Sequence, residues 1–252
     1  FQDFLHAANQ LAENADYSLL VLPLTNNTVS TTAQIKFCKQ NKVHGIIICQ
    51  DPLQPSNPKF KKIKELGVPI VVVGGAVPST GVHHFKEDME AVANLVAQKI
   101  IQKNKRHILA IFDATPSQRT ELILNAFIDT VSAHENNIGV EYAANTSEAY
   151  TLCRVAVDQK KYDAIFCMND EMAIGGLAYA TARGISVPGS LGIVGFGGME
   201  AASVLPKRLT TTVVPTTAIG KAAAEGLVAR LKGEAWQDVV VVPTRLVPGE
   251  TA

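Results

Sequence analysis

The sequence predicts an α/β fold of two doubly wound parallel-sheet lobes with several chain crossings between them, and three observations carry that expectation. Strand-like and helix-like runs alternate along almost the whole length of the 252 residues. Most strand-like runs are continuous Val/Ile/Leu stretches without polar alternation, the pattern of strands covered on both faces by helices. Several end abruptly in polar residues or glycine, as in Ala164-Ile165-Phe166-Cys167-Met168-Asn169-Asp170 and Gly192-Ile193-Val194-Gly195-Phe196-Gly197-Gly198. A buried parallel strand delivers ligand-facing groups to the carboxyl edge of its sheet in this way, and Leu209-Thr210-Thr211-Thr212 reads as a further example.

Taken in order, the expected strands are residues 17–22, 45–49, 70–73, 107–112, 138–142, 164–168, 191–195, 211–214 and 239–242. Between them, Phe4, Ala8, Leu11 and Ala15 recur at helical spacing, as do Val92, Leu95, Val96, Lys99 and Ile100. Helix ends are marked as well. Thr115-Pro116-Ser117-Gln118 fits a capping box with proline at the first helical position, Glu87 or Asp88 suits the start of a helix, and Gly184 after Arg183 fits a C-terminal stop. The four lysines between Lys59 and Lys64 read as a solvated helix face. A polar interval, 78–88, separates two similar blocks, and Pro215 leads into an Ala/Gly-rich helix over 218–231. Residues 1–84 with 214–235 are therefore expected to form one lobe, and 85–213 with 236–252 the other.

Composition narrows the function classes. A hydrophobic content of 47% supports a substantial core. Twenty-three basic residues balance twenty-three acidic ones, so no net positive field exists to hold a polyanion. The cysteines at 38, 49, 153 and 167 lack the clustering of a zinc site or disulfide framework, and read as reduced, buried thiols of a cytoplasmic protein. The longest apolar runs fall far short of the roughly 20 residues needed to cross a bilayer, and Phe1-Gln2-Asp3-Phe4 does not resemble a secretory leader.

In their order and spacing, Val43-His44-Gly45-Ile46-Ile47-Ile48, Gly67-Val68-Pro69-Ile70-Val71-Val72, residues 166–175, 187–196, Leu209-Thr210-Thr211 and Leu246-Val247-Pro248-Gly249-Glu250-Thr251 resemble the effector-binding domain of the LacI/GalR family of bacterial transcription regulators. The resemblance implies the type I periplasmic-binding-protein-like fold, a cytoplasmic homodimer or tetramer, and a cleft that takes a sugar, nucleobase or related metabolite. It also implies operator DNA as a partner, through a helix-turn-helix module and hinge helix that have no counterpart in these residues. The family's first strand has none either, an expectation that places all three upstream. An extracytoplasmic solute-binding protein of a sugar transporter shares the fold and is the alternative reading.

The residues expected to touch ligand follow from the resemblance, each with a structural alternative. Asn169 is a favoured N-cap, and the matching family asparagine also bonds effector through its amide. Asp170 either contacts ligand or serves the helix start. Phe196 either stacks on a ligand or belongs to the core. Gly197 stands where the family usually has an aspartate, and Gly74-Gly75 shows a parallel loss. Either this cleft favours a larger or anionic ligand, or one bound through glycine-exposed backbone amides, or neighbours such as Asp51, Asp113 and Glu200 substitute, or glycine simply satisfies a tight turn. The family's principal arginine position aligns with Ile123, and Arg119, one helical turn earlier, either reaches the cleft or solvates the helix start.

No glycine-rich phosphate loop, HExxH helix or GxSxG elbow occurs, and the six histidines are dispersed. The adjacent pair His83-His84 suits a loop better than a metal site. No catalysis, cofactor or metal is expected; the reading is a sensor of a small-molecule effector.

Overall fold

The computed structural model describes residues 2–22, 28–49, 58–74, 82–115, 118–159, 161–236 and 239–252. In chain order these form α1 (Gln2–Asn14), α2 (Thr28–Gln40), β1 (Ile46–Cys49), α3 (Pro58–Lys64), β2 (Ile70–Val73), β3 (His83–Glu87), α4 (Met89–Ile101), β4 (His107–Asp113) and α5 (Gln118–Ala133). There follow β5 (Asn137–Ala143), α6 (Thr146–Asp158), β6 (Ala164–Cys167), α7 (Asp170–Ala182), β7 (Gly192–Val194), α8 (Glu200–Ser203), β8 (Thr211–Val213), α9 (Thr216–Leu231), β9 (Val239–Val242) and β10 (Arg245–Val247). The chain divides into two compact units, residues 1–87 with 215–242 and residues 88–214 with 243–252.

The first unit carries a parallel sheet in the order β1-β2-β3-β9. Ile48, Phe60, Ile63, Ile70 and Val82 are buried together on it. α3 is amphipathic as expected: Phe60 and Ile63 face inward while Lys61, Lys62 and Lys64 are exposed. α1 lies against α9, burying Phe4, Ala7, Ala8 and Ala12. Their approach is close enough that a Cβ at Gly220 would stand 2.3 Å from the carbonyl oxygen of Phe4.

The second unit is built on the parallel order β5-β4-β6-β7. Side chains of successive strand residues point to opposite faces, and β4 shows this directly. Ile108, Ala110 and Phe112 join a core with Val92, Val96 and Ile100 of α4 and Ile123 and Phe127 of α5. Leu109 and Ile111 join another with Ala149 and Cys153 of α6 and Met172 and Ala173 of α7. Phe166 anchors the first of these, its ring 5.8 Å from Phe112 and 4.8 Å from Phe127. Full burial of such a ring contributes about 1.5–3 kcal/mol, with about 0.5–1.5 kcal/mol more from each aromatic pair. Asp163 ties two strand starts together, its carboxylate accepting from the backbone N–H groups of Arg106 at 2.9 Å and His107 at 2.9 Å.

The caps fall where the residue types place them. Asp88 accepts from Ala91 N at 3.0 Å at the head of α4, and Gly184, at φ +66°, follows the last turn of α7. The capping role of Pro116 and Ser117 lies outside the described residues.

Other expectations are corrected. Residues 17–22 form no strand: Asp16 at φ +62° stops α1, and among the described residues the run has no ladder partner. Apolar composition favours a strand only where a neighbouring backbone completes its hydrogen bonds, so Leu20 and Val21 stay 51% and 54% exposed. Conversely, part of the polar interval is β3, and His83-His84 lies in this strand, paired with β2 and β9, rather than in a loop. β10 was not foreseen; it pairs antiparallel with β8. Of the four cysteines only Cys153 and Cys167 are buried, and Cys49 is exposed at the end of β1.

The α1–α9 contact generates a test. Replacing Gly220 with alanine adds roughly 1 kcal/mol of helix propensity, but its Cβ meets the Phe4 backbone, which cannot rotate aside; overpacking of this kind costs about 1–3 kcal/mol. Urea denaturation of Gly220→Ala should therefore show a net loss of stability.

Candidate functional site

In the second unit, β4 leads into α5 on one face of the sheet and β6 into α7 on the other. Adjacent strands whose connections leave in opposite directions open a crevice beyond their carboxyl ends, the usual place for a ligand in a doubly wound sheet. Asp113 ends β4 and Asn169 follows β6, so both stand at this switch point.

Asn169 is the N-cap of α7, with φ −145° and ψ 160°, and its Oδ1 accepts from Met172 N at 2.8 Å. The side chain is half-buried, and capping engages its oxygen, leaving an amide nitrogen with two donors to act in recognition. Asp113 is also half-buried. Burial raises its carboxyl above the ordinary aspartate value, against a smaller opposing pull from the Arg119 guanidinium. Arg119, at the start of α5, lies with its guanidinium carbon 5.2 Å from the centroid of the Phe196 ring. The described structure thus brings together Asp113, Arg119 and Phe196. Phe196 itself is only 4% exposed and packs in the core, covered by Arg119. The arginine, not the ring, is the group presented there. Ile123, at the aligned arginine position, is fully buried.

Asp170 plays a different part. It is 2% exposed, and its carboxylate accepts from Met199 N at 2.6 Å and Thr211 Oγ1 at 2.5 Å, and from the backbone N–H groups of Gly198 and Phe196. Burial raises its carboxyl above the ordinary range, and these hydrogen bonds hold it down. With its oxygens engaged by protein donors, Asp170 secures the segment after β7 instead of facing a ligand. The threonines expected to face ligand are interior too. Thr210, Thr211 and Thr212 are each less than 5% exposed. Thr210 O and Thr212 O accept from Gly195 N and Gly197 N, extending the sheet beyond β7.

The glycines are explained by backbone. A Cβ at Gly195 would fall 2.2 Å from Asp170 Oδ1, so only glycine lets the carboxylate approach. Gly197 has φ +120° and Gly74 φ +84°, conformations that favour glycine. Gly197 N donates to Thr212 O and Gly74 N to Phe85 O, so neither supplies a spare backbone amide to a ligand. Each instead leaves open space where a Cβ would stand. Gly74 ends β2 in the first unit, and the other candidates belong to the second. Of the possible substitutes, Glu200 is exposed at the start of α8, and Asp51 and Gly75 lie outside the described residues. Among the described residues no cluster of three or more metal-ligating side chains occurs, and no helix is long and apolar enough to cross a membrane.

Sequence reasoning missed Thr211 as the partner of Asp170, forty-one positions away; the only signal was two polar residues placed at the ends of adjacent apolar runs. Asp170→Asn should lose about 1–3 kcal/mol at neutral pH, because an amide cannot satisfy all the N–H groups converging there. Since folding raises the Asp170 pKa, the folded state binds the proton more tightly. Wild-type stability therefore carries a component that is complete below the ordinary value of 3.8 and falls as pH rises through the elevated folded value. Urea denaturation across that range should show this component in the wild type and not in Asp170→Asn.

Comparison with known proteins places this geometry. A family model described as periplasmic binding protein-like domain matches residues 97–252. The arabinose metabolism transcriptional repressor of Geobacillus stearothermophilus is 25% identical over 266 aligned positions, covering all of this chain and 73% of that protein. The HTH-type transcriptional regulator GntR of Escherichia coli K12 is 27% identical over 197, covering 76% of this chain and 58% of that one. A LacI family transcriptional regulator from Enterococcus faecium, solved with bound ribose, superposes with a TM-score of 0.84 at 16% identity, over 100% of this chain and 93% of that one. With the switch-point crevice and the ordered motifs beside these matches, the chain belongs to the periplasmic binding protein-like domain family, as an effector-binding domain of the LacI/GalR type.

Proposed function

We propose that these residues form the sensory and dimerisation part of a cytoplasmic, non-catalytic transcriptional regulator. A sugar or sugar derivative binds in a cleft between lobes corresponding to the two units, and biases the affinity of an attached helix-turn-helix module for operator DNA. The observation that carries this reading is the crevice where β4 and β6 part, with Asp113 and Asn169 at its mouth and Arg119 beside them. A hydroxyl-rich ligand needs paired donors and acceptors, and this set provides an amide, a carboxylate and a guanidinium. Gly74 and Gly197 add space rather than charge, which favours a ligand bulkier than one gripped by aspartates at those positions. The names of the relatives, both transcriptional regulators, support regulation over transport.

Effector binding at a dimer's lobes alters the spacing of its two DNA heads, and coupling of this kind amounts to about 1–3 kcal/mol, or roughly 5- to 150-fold in operator affinity. A gel shift of the full-length protein on DNA upstream of its own gene, run against pentoses, hexoses and sugar acids, should reveal at least one that changes affinity within that range. No change with any of them would overturn the reading. With the sugar so identified, Asn169→Asp keeps the helix cap but removes the amide donors. Calorimetry should show about tenfold weaker binding, near 1.4 kcal/mol, while thermal stability stays within about 0.5 kcal/mol.

A further inference from the structure

At the opposite, amino-terminal edge of the second unit's sheet lies a cavity of about 230 Å³. Ile100 from the end of α4, Ala164 from β6 and Pro188 form apolar parts of its wall; Lys103 and Lys105 line it as well. No carboxylate is among its lining residues. Lys105 is only 9% exposed. Its Nζ donates to the carbonyl oxygen of Gly189 at 2.7 Å, and among the described residues it has no carboxylate partner. An ammonium group carries three donors, and a buried charge is costly unless it is paired. One neutral carbonyl therefore leaves most of this charge uncompensated beside an open volume. Water alone would solvate it, but the second cation, Lys103, makes the site selective for negative charge. At about 30 Å³ per water, the volume holds roughly seven, enough for a hydrated oxyanion.

We propose that this cavity binds a small oxyanion, of the phosphate or carboxylate class, held by the ammonium groups of Lys105 and Lys103. The site is remote from Asn169 along the same strands, since Ala164 begins β6 and Asn169 follows its end. Its occupant would tie the end of α4 to the segment before β7, where Gly189 lies.

The test uses the full-length protein and inorganic phosphate. Phosphate stabilises many proteins non-specifically, so the comparison is with chloride at matched ionic strength and across variants. Wild type should show a phosphate-specific rise in thermal midpoint of about 3 °C at saturating concentration. Lys105→Met should abolish the rise, and Lys103→Gln should weaken phosphate binding about tenfold. Lys103 is exposed, so its variant keeps the test decisive if Lys105→Met fails to fold. Lys99→Gln removes the same charge from α4 without touching the lining and should respond as wild type, as should Asn169→Asp. Absence of a phosphate-specific rise, or a rise retained undiminished in Lys103→Gln or Lys105→Met, would overturn the assignment.

Discussion

Asp170 is the interaction on which the ligand-facing edge of the second unit depends. A carboxylate taken out of water is unfavourable unless hydrogen bonds replace its solvation. Here the replacements come from the backbone after β7 and from the Thr211 hydroxyl. The first turn of α7, the segment 195–199 and β8 are thereby held to one point. Because Asn169 immediately precedes Asp170, the geometry of the candidate recognition amide is set by an acid that faces away from any ligand.

The same constraint explains the glycine-rich run. Gly195 is required for contact with the Asp170 carboxylate, while Gly198 packs against Val213 so tightly that a Cβ there would fall 2.5 Å from its side chain. Gly197 answers to backbone rotation instead. Three glycines within four positions thus serve distinct physical needs. Among the readings open for Gly197, the tight-turn explanation is the one its φ supports, and release of its amide to ligand is not.

Much of the architecture was legible because it rests on local rules. Continuous apolar runs became the parallel strands β4, β6 and β7, and the cap residues Asp88, Asn169 and Gly184 stand at helix ends. Legibility failed where pairing outweighs composition. Residues 17–22 have the apolar content of a strand and no ladder, whereas β3, with only Phe85 as a strongly apolar residue, is bonded on both sides. At the site, residue type could say that Asn169 caps a helix, because that is a bond across three positions. It could not say that Phe196 lies beneath Arg119, or that Thr211 bonds Asp170 across forty-one.

By itself, the sequence determined the α/β class, the edge of the sheet where the polar groups gather, and the family resemblance, since periodicity, capping and motif order are properties of neighbouring residues. Only the tertiary structure decided which of those polar groups remain available. Asp170 and the three threonines are consumed by partners distant in sequence, while Asn169, Asp113 and Arg119 stand at the mouth of the crevice. The division follows from range: a helix cap or a strand face is settled within a few residues, whereas satisfaction of a buried carboxylate depends on where remote segments meet.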